Sequence, residues 1–220
     1  MKKCLIISGG KIEPNDLLNY LKIQDGDLYI IGVDGGCQLL YDHHIIPHQI
    51  LGDFDTLDQK VKEFYMKKDI FINVLDPVKD VTDTHAAFEE AQKIGAKEID
   101  VFGFFGTRLD HSLGALMTAF KYSKCINIRF FDEHNIVHII DGYHQLVLEK
   151  KSNELQRVYK YISIIPIEET GIIQTKNLKY PLKSATLSPY DSYGVSNEMI
   201  NAQASIDVKD GKLFIIQSND

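Results

Sequence analysis

Short β-rich apolar runs alternate with stretches of helical character through the first part of the chain. The runs are Cys4–Ser8, Leu28–Val33, Gln49–Gly52, Ile70–Leu75 and Glu98–Gly103, and each ends in or runs directly into Gly or Asp. Between the last two, the spacing predicts a helix over Thr82–Ile94: Ala86, Ala87, Phe88, Ala91 and Ile94 supply one apolar face, and Gly95 stands where a helix C-terminal glycine belongs. Strand followed by helix, repeated, is the signature of a mostly parallel sheet with crossover helices. Such a sheet binds its ligands outside the carboxyl ends of the strands.

The pattern changes from about Asn135. Apolar runs at Ile136–Ile140, Gln145–Leu148, Val158–Ile165, Gly171–Thr175, Ala204–Val208 and Lys212–Ile216 are separated by turn signals such as Asp141-Gly142 and Asp210-Gly211. Helical periodicity is lacking there, and short strands joined by turns predict a smaller antiparallel β-sandwich. The fold class expected is therefore α/β followed by β-sandwich, with the boundary near Asp132: an α/β domain over 1–132 and a β domain over 133–220.

Composition narrows the function. The 220 residues carry 24 Lys+Arg against 31 Asp+Glu, a formal charge of −7, which argues against a nucleic-acid binder working through a general basic face. Hydrophobic residues at 44% and charged residues at 25% are typical of globular chains. No apolar run approaches the ~20 residues of a membrane helix, and the apolar stretch after Lys2-Lys3 is too short for a signal peptide. Cys4, Cys37 and Cys125 are odd in number and unspaced, which fits free thiols in a reducing cytoplasm.

Acidic residues collect just after the predicted strands. Asp34 precedes Gly35-Gly36; Asp53 and Asp55 lie in Gly52-Asp53-Phe54-Asp55-Thr56; Asp80 and Asp83 lie in Lys79-Asp80-Val81-Thr82-Asp83-Thr84; and Arg108, Asp110 and His111 follow the fifth strand. In a parallel sheet four loops would bring these carboxylates to one edge, where they repel one another unless a cation sits among them. Mg²⁺ suits that role, because it takes a few carboxylates and bridges to substrate phosphates, and Lys79 and Arg108 would add fixed positive charge. Taken singly, each residue also has a plain structural reading: Gly35-Gly36 as a tight turn, Asp80 or Thr82 as a helix cap, Arg108 with Asp110 as a surface ion pair, His111 as a residue orienting its neighbour. The other histidines lack metal-ligand spacing.

Taken in order, the strings VDGG at 33–36, GDFDT at 52–56, KDVTDT at 79–84, GTRLDHSL at 106–113, LKYPL at 178–182 and GVSNE at 194–198 resemble the thiamine pyrophosphokinase family over nearly the whole chain. The resemblance implies an α/β nucleotide domain followed by a β-sandwich. It implies a homodimer with active sites at the subunit interface, and Mg²⁺-dependent transfer of pyrophosphate from ATP to thiamine. On it, Asp53, Asp55, Asp80 and Asp83 surround the metal and triphosphate. Asp34, Gly35, Gly36, Lys79, Arg108 and His111 bind ATP, and Asp55, Asp80, Asp83, Arg108 and Asp110 form the catalytic set. Ser196 and Asn197 contact the thiamine pyrimidine, Tyr180 packs against the thiamine rings from the partner subunit, and either Asp83 or Asp110 accepts the proton of the thiamine hydroxyl. The chain departs from the family's usual pattern at Thr107, Gln38 and Ala115, and it has no Trp, so Tyr180 stands for an indole found in some relatives. Two rivals predict other products. A haloacid-dehalogenase-like phosphatase would use Asp53-Phe54-Asp55-Thr56, although that string follows the third predicted strand here instead of the first. A catalytically silent thiamine diphosphate sensor would have no need of a complete metal site.

Overall fold

The computed structural model describes all residues except 1, 25, 55, 56 and 77–80. The chain divides into two compact units, one built from Met1–Glu13 and Gln24–Asp132, the other from Pro14–Ile23 and Glu133–Asp220. Helix α1 (Pro14–Lys22) thus belongs with the later residues, although it lies between the first two strands of the chain. An ion pair within that second unit accounts for part of this, Asp16 meeting Arg157 at 3.0 Å.

The first unit is a parallel sheet. Its strands are β1 (Lys3–Ile7), β2 (Leu28–Val33), β3 (Gln49–Gly52), β4 (Phe71–Val74), β5 (Glu98–Phe102) and β6 (Asn127–Phe131), in the order β6-β5-β1-β2-β3-β4. Every adjacent pair is parallel. Central β1 is buried from Cys4 to Ile7, as a strand covered on both faces must be. Helices α2 (Gly35–Asp42), α3 (Gln59–Met66), α4 (Asp83–Lys93) and α5 (Leu109–Ala119) follow β2 to β5.

Helix α4 matches the predicted helix. The Thr82 hydroxyl caps it by accepting from the His85 N–H at 3.2 Å, Ile94 is its C-cap, and Gly95 takes φ +79. Strand β6 has no counterpart among the predicted strands, because Arg129 breaks its apolar run. In the fold, one edge of that guanidinium is answered by Asp100 on β5: Nε and Nη2 each donate to its carboxylate at 2.9 Å, and Lys3 on β1 meets that carboxylate at 3.0 Å.

The second unit contains two antiparallel sheets. One runs β11 (Asn197–Glu198), β9 (Tyr161–Pro166), β13 (Lys212–Ser218), β7 (Asn135–Asp141); the other runs β10 (Ile173–Lys176), β12 (Gln203–Val208), β8 (His144–Glu149). Burial alternates along β12 and β13, where Ala204, Ile206 and Val208 on one and Leu213 and Ile215 on the other point into a common apolar core with Ile140, Ile164 and Leu148. This is the expected sandwich. Gln217 of β13 supplies a polar link between its layers, donating to the Glu149 carbonyl of β8 at 3.0 Å while its Oε1 meets His138 at 3.2 Å.

Candidate functional site

Because β1 to β5 are parallel, the loops that follow them emerge at one edge. The chain leaves β1 toward β2, and after β4 it crosses to β5 on the other side of β1. The connections after β1 and β5 therefore lead in opposite directions along the sheet, and at such a switch point an open α/β sheet leaves a crevice. A cavity of about 320 Å³ lies there. Its walls are Ser8 to Gly10 after β1, Val33 at the end of β2 and Asp34 after it, Thr82 to Thr84 at the start of α4, Gly103 to Arg108 (Phe105 apart) after β5, and His111, Ser112 and Ala115 on α5.

The local sequence explains the close assembly of these loops. The N–H of Ser8 donates to the Phe102 carbonyl and that of Gly10 to the Gly103 carbonyl, both at 2.8 Å, so the chain beyond β1 lies against the chain beyond β5. A Cβ at Gly36 would overlap the Ile7 carbonyl oxygen, so this glycine lets the first turn of α2 rest directly on β1. The hydroxyls of Ser8 and Thr84 meet at 3.2 Å and tie the first loop to α4. The N-termini of α4 and α5 both reach the cavity, offering backbone N–H groups and positive dipole ends suited to an anionic ligand.

Among the predicted site residues, Asp34, Asp83, Arg108 and His111 line this cavity. Gly35 and Gly36 open α2, where the structure uses them for packing. Half-buried Asp53 follows β3. Asp110 is exposed and holds Arg108 in a two-pronged pair: Arg108 Nε donates to Oδ1 at 3.2 Å and Nη2 to Oδ2 at 2.6 Å, while the His111 N–H donates to Oδ1 at 3.0 Å. The hydrogen bond from Arg108 outweighs desolvation and holds the Asp110 carboxyl below the usual carboxylate range; the same pairing raises Arg108. Asp55, Lys79 and Asp80 lie outside the described residues. Of the positions where the chain departs from the family pattern, Thr107 and Ala115 line the cavity, whereas Gln38 donates to Asp42 at 2.9 Å within α2.

Sequence reasoning did not single out Ser8, Gly9, Gly10, Thr84, Phe104 and Ser112, all of which line the cavity. For the first three a signal existed: Ser8-Gly9-Gly10 follows the first predicted strand, as Asp34-Gly35-Gly36 follows the second. Phe104 gave none, since its place beside the cavity depends on an edge-to-face contact with Phe130 at 5.0 Å.

A hard divalent cation fits the donors at this edge. Asp34, Asp53 and Asp83 offer carboxylate oxygen and Thr82, Thr84 and Ser8 offer hydroxyls, with neither thiolate nor paired imidazole beside them. Among the described residues no group of three or more His, Cys, Asp or Glu is already gathered as a metal cage.

In the second unit, Tyr180 is 62% exposed and Ser196 is exposed, while Asn197 is buried. Ser196 adopts φ 59 and its N–H donates to Ser163 Oγ at 3.0 Å. Lys179 lies with its ammonium 5.6 Å from the centre of the Tyr180 ring and is paired with Glu198 at 3.1 Å.

Comparison with known proteins is consistent over the full length. The family model described as thiamin pyrophosphokinase, catalytic domain, matches residues 20–130, and that described as thiamin pyrophosphokinase, vitamin B1 binding domain, matches 144–213. The thiamine pyrophosphokinase of Bacillus subtilis is 31% identical over 223 residues, covering 100% of both chains. A crystal structure of the Bacillus subtilis protein superposes with a TM-score of 0.86 at 29% identity, covering 100% of each chain. The structure of thiamin pyrophosphokinase from Geobacillus thermodenitrificans gives 0.82 at 27% identity, over 100% of this chain and 98% of that one.

Proposed function

Because the chain belongs to the thiamine pyrophosphokinase family, kinases that transfer pyrophosphate to thiamine, we propose that ATP is its donor and that Mg²⁺ is its cofactor. The observation that carries this reading is the cavity at the switch point, whose walls combine two helix N-termini and Arg108 with Asp34 and Asp83. One sign of charge suits a triphosphate and the other suits the cation that travels with it.

In the reaction the hydroxyethyl oxygen of thiamine attacks the β-phosphorus of ATP. A bond forms between that oxygen and phosphorus, the bond from the β-phosphorus to the oxygen bridging to the α-phosphate breaks, and AMP leaves with the electron pair. The hydroxyl proton passes to a carboxylate. Asp83 and Asp110 are the candidate acceptors: Asp83 lines the cavity, whereas Asp110 is engaged by Arg108 and its proton affinity is reduced. Little covalent help is needed for transfer at phosphorus, so the protein's contribution is alignment and charge. The N–H groups at the starts of α4 and α5 orient phosphate oxygens, and Arg108, with Lys79, neutralises charge on the bridging and terminal oxygens. Asp53, Asp55, Asp80 and Asp83 would hold Mg²⁺, which when bound supplies positive charge between carboxylate and phosphate.

The first unit is read as the ATP and Mg²⁺ domain and the second as the thiamine domain, with Tyr180, Ser196 and Asn197 forming the thiamine site. Thiamine carries a thiazolium, and the face of Tyr180 would hold such a cation with about 1 kcal/mol. A homodimer with sites at the subunit interface is supported by α5, where Leu109, Leu113 and Met117 recur on one face and are exposed together with Phe105. Cys4, Cys37 and Cys125 are free thiols, in keeping with a cytoplasmic enzyme. Among the described residues no helix is long and apolar enough to cross a membrane.

Incubation with ATP, Mg²⁺ and thiamine, followed by identification of products, tests the assignment. AMP and thiamine diphosphate are expected in equal amounts, with AMP only when thiamine is present. ADP as the product would overturn pyrophosphoryl transfer in favour of a simple kinase; inorganic phosphate alone would favour the phosphatase and no product the sensor.

A further inference from the structure

Residues 177–180 and 197–200 run antiparallel as a short extended strip of the second unit. The Ile200 N–H donates to the Asn177 carbonyl at 3.0 Å, the Lys179 N–H to the Glu198 carbonyl at 2.9 Å, and Leu178 bridges Met199. The strip cannot continue by backbone alone. Pro181 follows Tyr180 and has no N–H to offer, and on the other side Ser196 turns away at φ 59 with its N–H committed to Ser163.

The side chain of Asn197 takes the place of the next peptide group. Its Oδ1 accepts from the Tyr180 N–H at 3.0 Å and its Nδ2 donates to the Tyr180 carbonyl at 2.7 Å, as a facing strand residue would. Oδ1 also accepts from the Glu198 N–H at 2.9 Å. Both lone pairs of the oxygen and one of the two N–H groups are thereby in use. Asn197 is 9% exposed, and its main chain is paired with Ile162 of β9. A single amide thus ties the backbone of an exposed tyrosine to the sheet.

We propose that Asn197 is a positioning residue, one that serves thiamine binding by fixing the backbone of Tyr180 instead of touching the vitamin. The proposal rests on the assignment of Tyr180 as the ring that packs on thiamine. An amide with both oxygen lone pairs and one N–H committed to main-chain groups has a single N–H left to offer a ligand, whereas a ring on a proline-ended loop binds well only if its backbone is ordered beforehand.

Two measurements test it together: steady-state kinetics of Asn197→Ala, Asn197→Asp, Tyr180→Ala and the Asn197→Ala/Tyr180→Ala pair, and hydrogen exchange of the Tyr180 amide. Asn197→Ala is expected to raise the thiamine KM about tenfold, with kcat and the ATP KM held within about twofold, and to abolish protection of the Tyr180 amide. Asn197→Asp keeps an acceptor for the Tyr180 N–H but sets a second oxygen against the Tyr180 carbonyl in place of the Nδ2 donor, so it too should lose protection and affinity. In the pair, the thiamine KM should be no higher than for Tyr180→Ala alone, because the two residues act as one unit. Effects that multiply in the pair, undiminished protection in Asn197→Ala, or an unchanged KM despite lost protection would each overturn the proposal. In all of these the wild-type enzyme still makes AMP; a wild type that makes none fails the functional reading instead, and exchange still reports the tie.

Discussion

Among the described residues, three non-glycine residues with positive φ fall within the segments singled out for function: Asp34 at φ 43, Phe54 at φ 55 and Ser196 at φ 59. Each such conformation costs on the order of 1–3 kcal/mol and persists only where the surroundings enforce it. For Asp34 the enforcement is visible. Its N–H donates to the Leu51 carbonyl at 3.1 Å, and its carboxylate lies against the α-carbon of Gly52, where any Cβ would overlap Oδ1. Gly52 itself takes φ +146, which L side chains rarely adopt. Gly52→Ala is therefore expected to displace the Asp34 carboxylate, raising the ATP KM at least tenfold and lowering stability by about 1–2 kcal/mol. Nucleotide titration and urea unfolding check the two effects separately, and an alanine variant with wild-type ATP binding would remove Asp34 from the site.

At the scale of elements, sequence signals were strongest where one face of an element must be apolar. Strands β2 and β3 have the predicted bounds, and α4 carries the predicted cap, face and terminal glycine. They were weakest where a distant partner changes the meaning of a residue. Strand β6 depends on Asp100, which is 1% exposed and receives both Arg129 and Lys3, so three strands share one buried carboxylate. Removing one member of such a group leaves the other charges uncompensated. Asp100→Ala should cost about 3 kcal/mol in urea unfolding while the folded protein keeps its thiamine-dependent AMP formation. A neutral effect on stability would show that the cluster is ornamental. Strand β11 escaped notice for a related reason: two residues between irregular segments have no periodicity, and only pairing with β9 makes them a strand.

For the molecule as a whole, charge and acidity have different consequences. The formal charge of −7 looks unfavourable for a protein that takes ATP, but at the switch point it is joined by Arg108 and helix N-termini, so its local effect depends on position. Acid sensitivity has an identifiable contributor in the second unit. Burial of His144 on β8 lowers its pKa below the ordinary 6.5. Between the folded and unfolded values the unfolded chain binds more protons, so this contribution is present above about pH 6.5 and is lost as pH falls through that value toward the folded pKa. His144→Gln should narrow the gap between urea midpoints measured at about pH 7.5 and about pH 5.5. An undiminished gap would assign the acid response to other groups.

The sequence by itself determined the class of each half, because apolar periodicity reports which face of an element is buried, and strand-end loops in a parallel sheet share one edge whatever the details. It also determined the oxygen-rich chemistry of that edge, through the aspartates that follow successive strands. Tertiary structure alone decided which connections lead in opposite directions to form the cavity, since that depends on β5 lying beside β1, a pairing between residues far apart in the chain. It alone decided that Asp110 is held by Arg108, that Gly36 serves packing, and that the Asn197 amide is engaged by Tyr180. Those roles are set by partners within hydrogen-bonding or van der Waals distance, and sequence spacing carries no record of who they are.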